Sequence, residues 1–206
     1  MRIITISRQF GSGGRELGKR LADELGWDYY DREIIERLAE EEGLDPDFVA
    51  HTLSNHEWRN VPLTYRNSFA GLVVDPGSKT ALLRKQREII EDIAGAGNDC
   101  IIVGRDADII LDEYKPFKIF VCADMKARIA RCMKHEMKKS GDRLTEKQIE
   151  RNIRKIDRNR AQTREMLTGK DWGDGSNFNI TVNTEGWDIK ALVPAVSAFA
   201  LAWFEQ

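Results

Sequence analysis

The 206-residue chain has few cysteines, few histidines and no long apolar run. Its three cysteines, Cys100, Cys122 and Cys132, are odd in number and no pair has metal-ligand spacing. They read as reduced structural thiols of a cytoplasmic protein. Of the three histidines, His51 and His56, beside Glu57, lie five apart and do not share a helix face, so no zinc motif forms. The opening Met1-Arg2-Ile3-Ile4-Thr5-Ile6-Ser7 lacks the apolar region of a secretory signal. Nothing reaches the ~20 apolar residues that span a bilayer. The nearest stretch, Ala191–Phe204, is too short and contains Pro194 and Ser197. It reads as a C-terminal helix packed on the core or on a second subunit, which leaves a homodimer open.

Net charge is also nearly absent, at −2, but that sum conceals a separation. Residues 126–170 hold 15 Lys/Arg against 6 Asp/Glu, so a basic segment sits on an acidic body. Residues 126–164 contain no Phe, Tyr or Trp, and a single-strand nucleic-acid binder would interleave aromatics there. The expectation is a small-molecule partner, with no nucleic acid and no membrane.

What is present is an alternation of strands and helices. Arg2–Ser7, Trp27–Tyr30, Cys100–Val103, Phe117–Cys122 and Asn179–Asn183 are short β-branched and aromatic runs separated by helical patterns. That order predicts an α/β fold, with a parallel sheet covered on both faces. Leu17, Leu21 and Leu25 form a helical stripe, and Asp31 stands where it would cap a helix carrying Ile34, Ile35 and Leu38. Asp45-Pro46 opens a helix to about Trp58. Arg59–Gly77 has no clear period and reads as a loop, and Leu82 to Gly95 or Gly97 as a long helix. Lys126–Lys139 is the first arm of a basic hairpin, broken at Ser140-Gly141-Asp142. Thr145 and Gln148 form a capping box for the second arm, which carries Ile149, Ile153 and Ile156 and then Met166 or Leu167. At 100° per residue, Asp157, Arg160 and Arg164 share the face of Ile153 and point inward.

Four clusters carry the chemistry. Ser7-Arg8-Gln9-Phe10-Gly11-Ser12-Gly13-Gly14-Arg15-Glu16 joins a strand to a helix. Such a turn converges backbone N–H groups on a phosphate, or is simply a tight turn. It lacks the lysine and hydroxyl of G-x-x-x-x-G-K-[ST]; with Gly14 as the second glycine, Arg15 and Glu16 stand in their places. Arg15 keeps a bidentate cation, while Glu16 meets a metal or caps the helix. Asp31 ends the second strand, on the ligand side of an open α/β sheet or as a plain cap. Gly104-Arg105-Asp106 ends the third strand, as an ion pair or as a phosphate site. The hairpin is rich in arginine, the residue of phosphate forks; Arg151 and Arg154 read as solvated and Arg160, with Asp157, as part of the site.

Together these segments resemble the cytidylate-kinase-like family, a branch of the P-loop nucleoside monophosphate kinases. ITISRQFGSGGRELG, LGWDYYDRE, IIVGRDADIIL, KIFVCADMKARIARCMK and KIDRNRAQTREMLTGKDWGDGSNFNITVNT follow its order and spacing. The resemblance implies a three-layer P-loop NTPase fold with a five-stranded parallel sheet. It implies an acceptor-binding insertion at about 32–80 and a basic lid at about 126–170. It also implies ATP with Mg²⁺ and a nucleoside monophosphate such as CMP. By position, Gly11, Ser12, Gly13, Gly14, Arg15 and Glu16 would hold the donor phosphates, and Asp31, Arg37, Arg105 and Asp106 the acceptor. Arg131, Asp157 and Arg160, with Arg15, would face the transferring phosphoryl group, and Arg128 would start the lid. Classical members keep the lysine and hydroxyl. Arg15 and Glu16-Leu17 therefore leave a second reading, a nucleotide sensor without transfer activity.

Overall fold

The computed structural model describes residues 1–44, 46, 49, 53, 76–136 and 144–206. Of the helix expected from Asp45-Pro46, residues 46, 49 and 53 are described and are helical, while most of the loop at 59–77, the histidines His51 and His56, and the hairpin break at 140–142 lie outside the described residues. Five strands form one parallel sheet: β1 (Ile3–Arg8), β2 (Asp28–Tyr30), β3 (Cys100–Val103), β4 (Phe117–Cys122) and β5 (Ile180–Asn183). Their spatial order is β2-β3-β1-β4-β5, so β1 is central. Ile4 lies beside Ile101 on one side and Phe117 on the other.

Parity along the strands sorts the core into two layers. Ile4, Ile6, Ile101 and Val103 pack with Leu17 and Leu21 of α1 (Gly14–Leu25) and with Val193, Val196 and Ala200 of α7 (Ile189–Phe204). Ile3 and Ile102 pack on the opposite face, with Ile34, Ile35 and Leu38 of α2 (Glu33–Glu42) and Ile89 and Ile90 of α3 (Pro76–Gly95). The C-terminal apolar segment therefore covers the core: Phe117 is fully buried and its ring meets Phe199 and Trp203 at 5.6 and 5.5 Å. No helix among the described residues is long and apolar enough to cross a membrane.

Three readings of the sequence shift. Pro76 and Gly77 open α3 instead of closing a loop, since a first-turn proline loses no helical hydrogen bond. Asp31 does not cap α2: the cap position is Arg32, and Asp31 N–H donates to Glu33 Oε2 at 2.9 Å. Met166 and Leu167 are exposed, because the inward face of their helix has turned to Arg164 by that point.

The short α4 (Ala107–Ile110) follows β3, and the basic segment forms α5 (Met125–Glu136) and α6 (Glu146–Thr168). The capping box at Thr145 is present: Gln148 N–H donates to Thr145 Oγ1 and Thr145 N–H to Gln148 Oε1.

Gly18 tests the packing of α1 on the sheet. A β-carbon there would lie 2.8 Å from Val103 Cγ2 and 3.0 Å from Ile6 Cδ1. Alanine is the better helix former by about 1 kcal/mol, but overpacking costs about 1–3 kcal/mol. Gly18→Ala is therefore expected to destabilise the protein, read as a lower urea midpoint at unchanged slope. A higher midpoint would mean that α1 is not seated on β1 and β3.

Candidate functional site

The site lies at the carboxyl ends of β1 and β3, where the central strand hands over to α1 and the neighbouring strand to α4. Open parallel sheets bind ligands at this edge. The glycine loop leaves β1 and turns on Gly11 (φ +77°) and Gly13 (φ +86°), and Gly13 caps α1. The first amides of α1 have no acceptor inside the helix, and a helix N-terminus of this kind favours an anion. Other elements secure the loop's carbonyls. Arg131 Nη1 donates to Gly11 O at 2.8 Å, and Thr184 Oγ1 donates to Ser12 O at 2.6 Å. Ser12 is buried and its hydroxyl donates to Gln9 O. A side chain at Gly11 would meet α5 at Arg128 O, 3.0 Å away.

Helix α6 lies across this loop. Asp157 accepts a hydrogen bond from Phe10 N–H at 2.8 Å and pairs with the buried guanidinium of Arg128. Arg160 lies 3.5 Å from Asp157, donates to Arg8 O at 2.8 Å, and stacks its guanidinium 5.8 Å from the Phe10 ring centre. One turn on, buried Arg164 pairs with buried Asp108 at 2.5 Å, and Ser7 Oγ donates to the same carboxylate at 3.4 Å. The face read as inward from the sequence is inward.

Between α6 and the sheet edge is a cavity of about 660 Å³, lined by Arg8, Arg105, Asp106, Arg160, Gln86 and Trp172 among others. Gly104, Arg105 and Asp106 all have positive φ, at 78°, 60° and 53°. The left-handed region costs a non-glycine residue about 1–2 kcal/mol, and such strain gathers at functional sites. Gln86 Nε2 donates to Arg105 O at 3.3 Å across this turn. That bond fixes the amide, so Gln86 Oε1 remains a buried acceptor with no hydrogen-bond partner among the described residues.

The sequence candidates separate into two groups. Arg105, Asp106 and Arg160 line the cavity, with Asp157 and Arg131 behind them on the glycine loop. Arg15 is largely exposed and its guanidinium pairs with Asp31, and Glu16 pairs with Arg20 one turn along α1. Arg37 is not brought to the cavity wall; it bonds Glu41 at 2.8 Å and Asp92 at 2.9 Å, tying α2 to α3. Two participants escaped the sequence reading. Arg8 ends β1 inside the cavity wall and reaches Asp31 at 3.5 Å. Asp108 holds Arg164. Their only sequence signal is position, at or just past the carboxyl end of a core strand.

The cavity wall carries the cations Arg8, Arg105, Lys155 and Arg160 against the carboxyl of Asp106. Burial, with Arg8 as the nearest like charge, pushes Arg105 down to about 10. Burial and then Arg8 push Arg160 down to about 9. Arg8 is itself lowered by burial, against the opposing pull of Asp31. Among the described residues there is no cluster of three or more histidine, cysteine or carboxylate groups that would hold a metal unaided.

Asp106 is raised from 3.8 to about 6, by burial first and then by Asp108. The folded state therefore holds this proton more tightly than the unfolded chain. The stability it contributes is complete below pH 3.8 and is lost as pH rises to about 6. Denaturant titrations across this range should show that decline in the wild type, and Asp106→Asn should remove it. An unchanged decline in the variant would assign it to another group.

Comparisons with known proteins bear on the family and the fold. Residues 3–186 match the model of the cytidylate kinase-like family. A cytidylate kinase of Haloarcula marismortui is 27% identical over 187 residues, covering 90% of this chain and 82% of that protein. An uncharacterized protein from Eubacterium ventriosum superposes with a TM-score of 0.71 at 20% identity, over 98% of this chain and 99% of that one. Shikimate kinase from Aquifex aeolicus superposes with a TM-score of 0.53 at 17% identity, over 98% and 96%. These two structures share the fold, a five-stranded parallel sheet layered between helices, as found in P-loop kinases. With nearly nine-tenths of its length inside the family model, the chain belongs to the cytidylate kinase-like family.

Proposed function

We propose that the protein transfers the γ-phosphoryl group of ATP to a nucleoside monophosphate, with a cytidylate-like acceptor. The observation that carries this reading is the cavity in which Arg105 and Arg160 converge below the glycine loop, each displaced from its ordinary titration by burial and by its cationic neighbours. Such a site favours a multiply charged anion, and phosphoryl transfer needs little beyond positioning and charge neutralisation. An acceptor phosphate oxygen attacks the γ-phosphorus, the bond to the β–γ bridging oxygen breaks, and ADP leaves. In this reading residues 32–80 form the acceptor-binding insertion and 126–170 the lid.

Mg²⁺ fits as an ion carried in by ATP. It takes one or two protein carboxylates with substrate phosphates, and Asp106, just past the end of β3, is the carboxylate in the cavity wall that would meet it. When bound, it would neutralise developing phosphate charge. Arg160 neutralises from the lid side and Arg105 from the sheet edge.

Gln86 supports a base with an amino group. Gln86 lines the cavity and its Oε1 is a buried acceptor without a partner among the described residues, so in this reading an exocyclic N–H₂ that reaches it is satisfied, whereas a carbonyl at the same place meets acceptor against acceptor. Cytosine and uracil differ in that group.

A second reading is a nucleotide sensor without transfer. The pairing of Arg15 with Asp31 and of Glu16 with Arg20 favours it, because neither residue stands ready as a lysine or hydroxyl would.

A coupled assay with ATP·Mg and CMP, dCMP, UMP, AMP or GMP separates the two. Turnover with CMP is expected, and Arg160→Met should lower kcat by about 100- to 1000-fold. Tight nucleotide binding with no turnover on any acceptor would establish the sensor. Gln86→Met is expected to erode the preference for CMP over UMP about tenfold. An undiminished preference would take base recognition away from Gln86.

A further inference from the structure

We infer that Arg8 is the cation which the glycine loop presents to the transferring phosphate, in the role that sequence spacing gives to Arg15. This rests on the phosphoryl-transfer reading but makes a claim of its own, because the charge arrives from the end of the central strand rather than from the start of the helix.

The argument begins with two glycines. Gly14 does not have a positive φ, so the backbone does not require glycine there. A β-carbon at Gly14 would lie 2.7 Å from Arg8 Cβ and 3.1 Å from Arg8 Cγ, so the glycine makes room for the arginine stem. At the other end of the side chain, a β-carbon at Gly104 would lie 1.5 Å from Arg8 Nη1 and 2.6 Å from Cζ. Two elements from opposite ends of the site therefore form a slot, and the guanidinium of Arg8 fills its inner end.

Within that slot Arg8 pairs with a carboxylate that it does not have to itself. Its side chain is 14% exposed, it forms part of the cavity wall, and Asp31 stands 3.5 Å from Nη2. Asp31 is shared with Arg15, whose side chain is 68% exposed and which is not part of the wall. Arg160 secures the backbone carbonyl of Arg8 at 2.8 Å, so the lid helix and the strand end are fixed to each other at this residue. A guanidinium so placed offers two parallel N–H groups to a phosphate, with little conformational freedom left to lose.

The inference is tested by calorimetric titration of the full chain with inorganic tripolyphosphate, alongside turnover with ATP·Mg and CMP. Arg8→Met should weaken tripolyphosphate binding about 10- to 100-fold, the range for losing charge-assisted hydrogen bonds. Arg15→Met should weaken it no more than about threefold, as for an exposed charge. Arg8→Lys, which keeps the charge and loses the fork, should fall between wild type and Arg8→Met. It also answers the question if Arg8→Met fails to fold. Gly104→Ala carries a backbone cost in any background, since Gly104 has φ +78°, and by expelling the guanidinium should weaken binding more in the wild type than in the Arg8→Met background.

Equal binding by Arg8→Met and wild type would overturn the inference. So would loss on Arg15→Met alone, an equal effect of Gly104→Ala in both backgrounds, or no binding of tripolyphosphate by the wild type. Wild-type protein that binds tripolyphosphate through Arg8 but turns over no acceptor would overturn the kinase reading and leave this one standing.

Discussion

The structure depends on how positive charge is held at the carboxyl end of β1. Arg8 lies in the segment from Ser7 to Phe10, Arg128 and Arg160 bond its carbonyls, and Arg164 is tied to Ser7 through Asp108; each faces a carboxylate, Asp31, Asp157 or Asp108. Guanidiniums at this density repel one another in a medium that screens them poorly. Removing one partner of a buried pair typically costs about 3–5 kcal/mol, because the charge left behind has no water. The pairs are therefore constraints more than sources of stability. They specify where α5 and α6 sit relative to the sheet, and they leave the cavity-facing guanidiniums with surplus charge.

Asp157 is the hinge of that arrangement. It is the carboxylate that α6 places on the glycine loop, and it takes an amide N–H from Phe10 while binding Arg128 and approaching Arg160. An amide from a glycine loop and two guanidiniums are also what a phosphate oxygen seeks. The basic segment is thus joined to the core through anion-binding chemistry, and Arg131 completes the joint by gripping Gly11 O from α5. This explains why a +9 segment folds against the body without aromatic anchors. Among its described residues the buried side chains are Ile149 and Ile153, which are apolar, and Arg128 and Arg164, which are charged and paired.

Much of this was legible in the sequence, and the part that was not has a physical reason. Strand positions and the sheet covered on both faces follow from short β-branched and aromatic runs separated by helical stripes. The inward turn of Asp157, Arg160 and Arg164 follows from 100° per residue. The capping box at Thr145 is a local pattern and was read locally. What failed was direction. Asp31 reads as a cap because cap preferences describe the chain nearby, whereas its real partners come from β1 and α1. Arg37 stands at the right spacing, yet α3 carries Asp92 beside it, and sequence spacing cannot register that competitor. Arg8 left no mark except two glycines ninety residues apart, whose shared neighbour is visible only when both are seen against the same side chain.

The missing lysine then takes on a different meaning. Arg15 has the right charge at the expected spacing, but it lies in the first turn of α1 with its side chain in solvent and its guanidinium drawn to Asp31. A lysine there would inherit the same exposure and the same carboxylate, so changing the residue type at 15 does not move charge into the cavity. The constraint lies in Gly14. Any side chain at that position would displace the stem of Arg8, so this loop cannot carry both a cation on the helix start at 14 and the one that leaves β1. Arginine at 8 and glycine at 14 therefore form one structural choice made at two positions, and Gly104, which its φ of +78° already requires, leaves the space that the guanidinium fills.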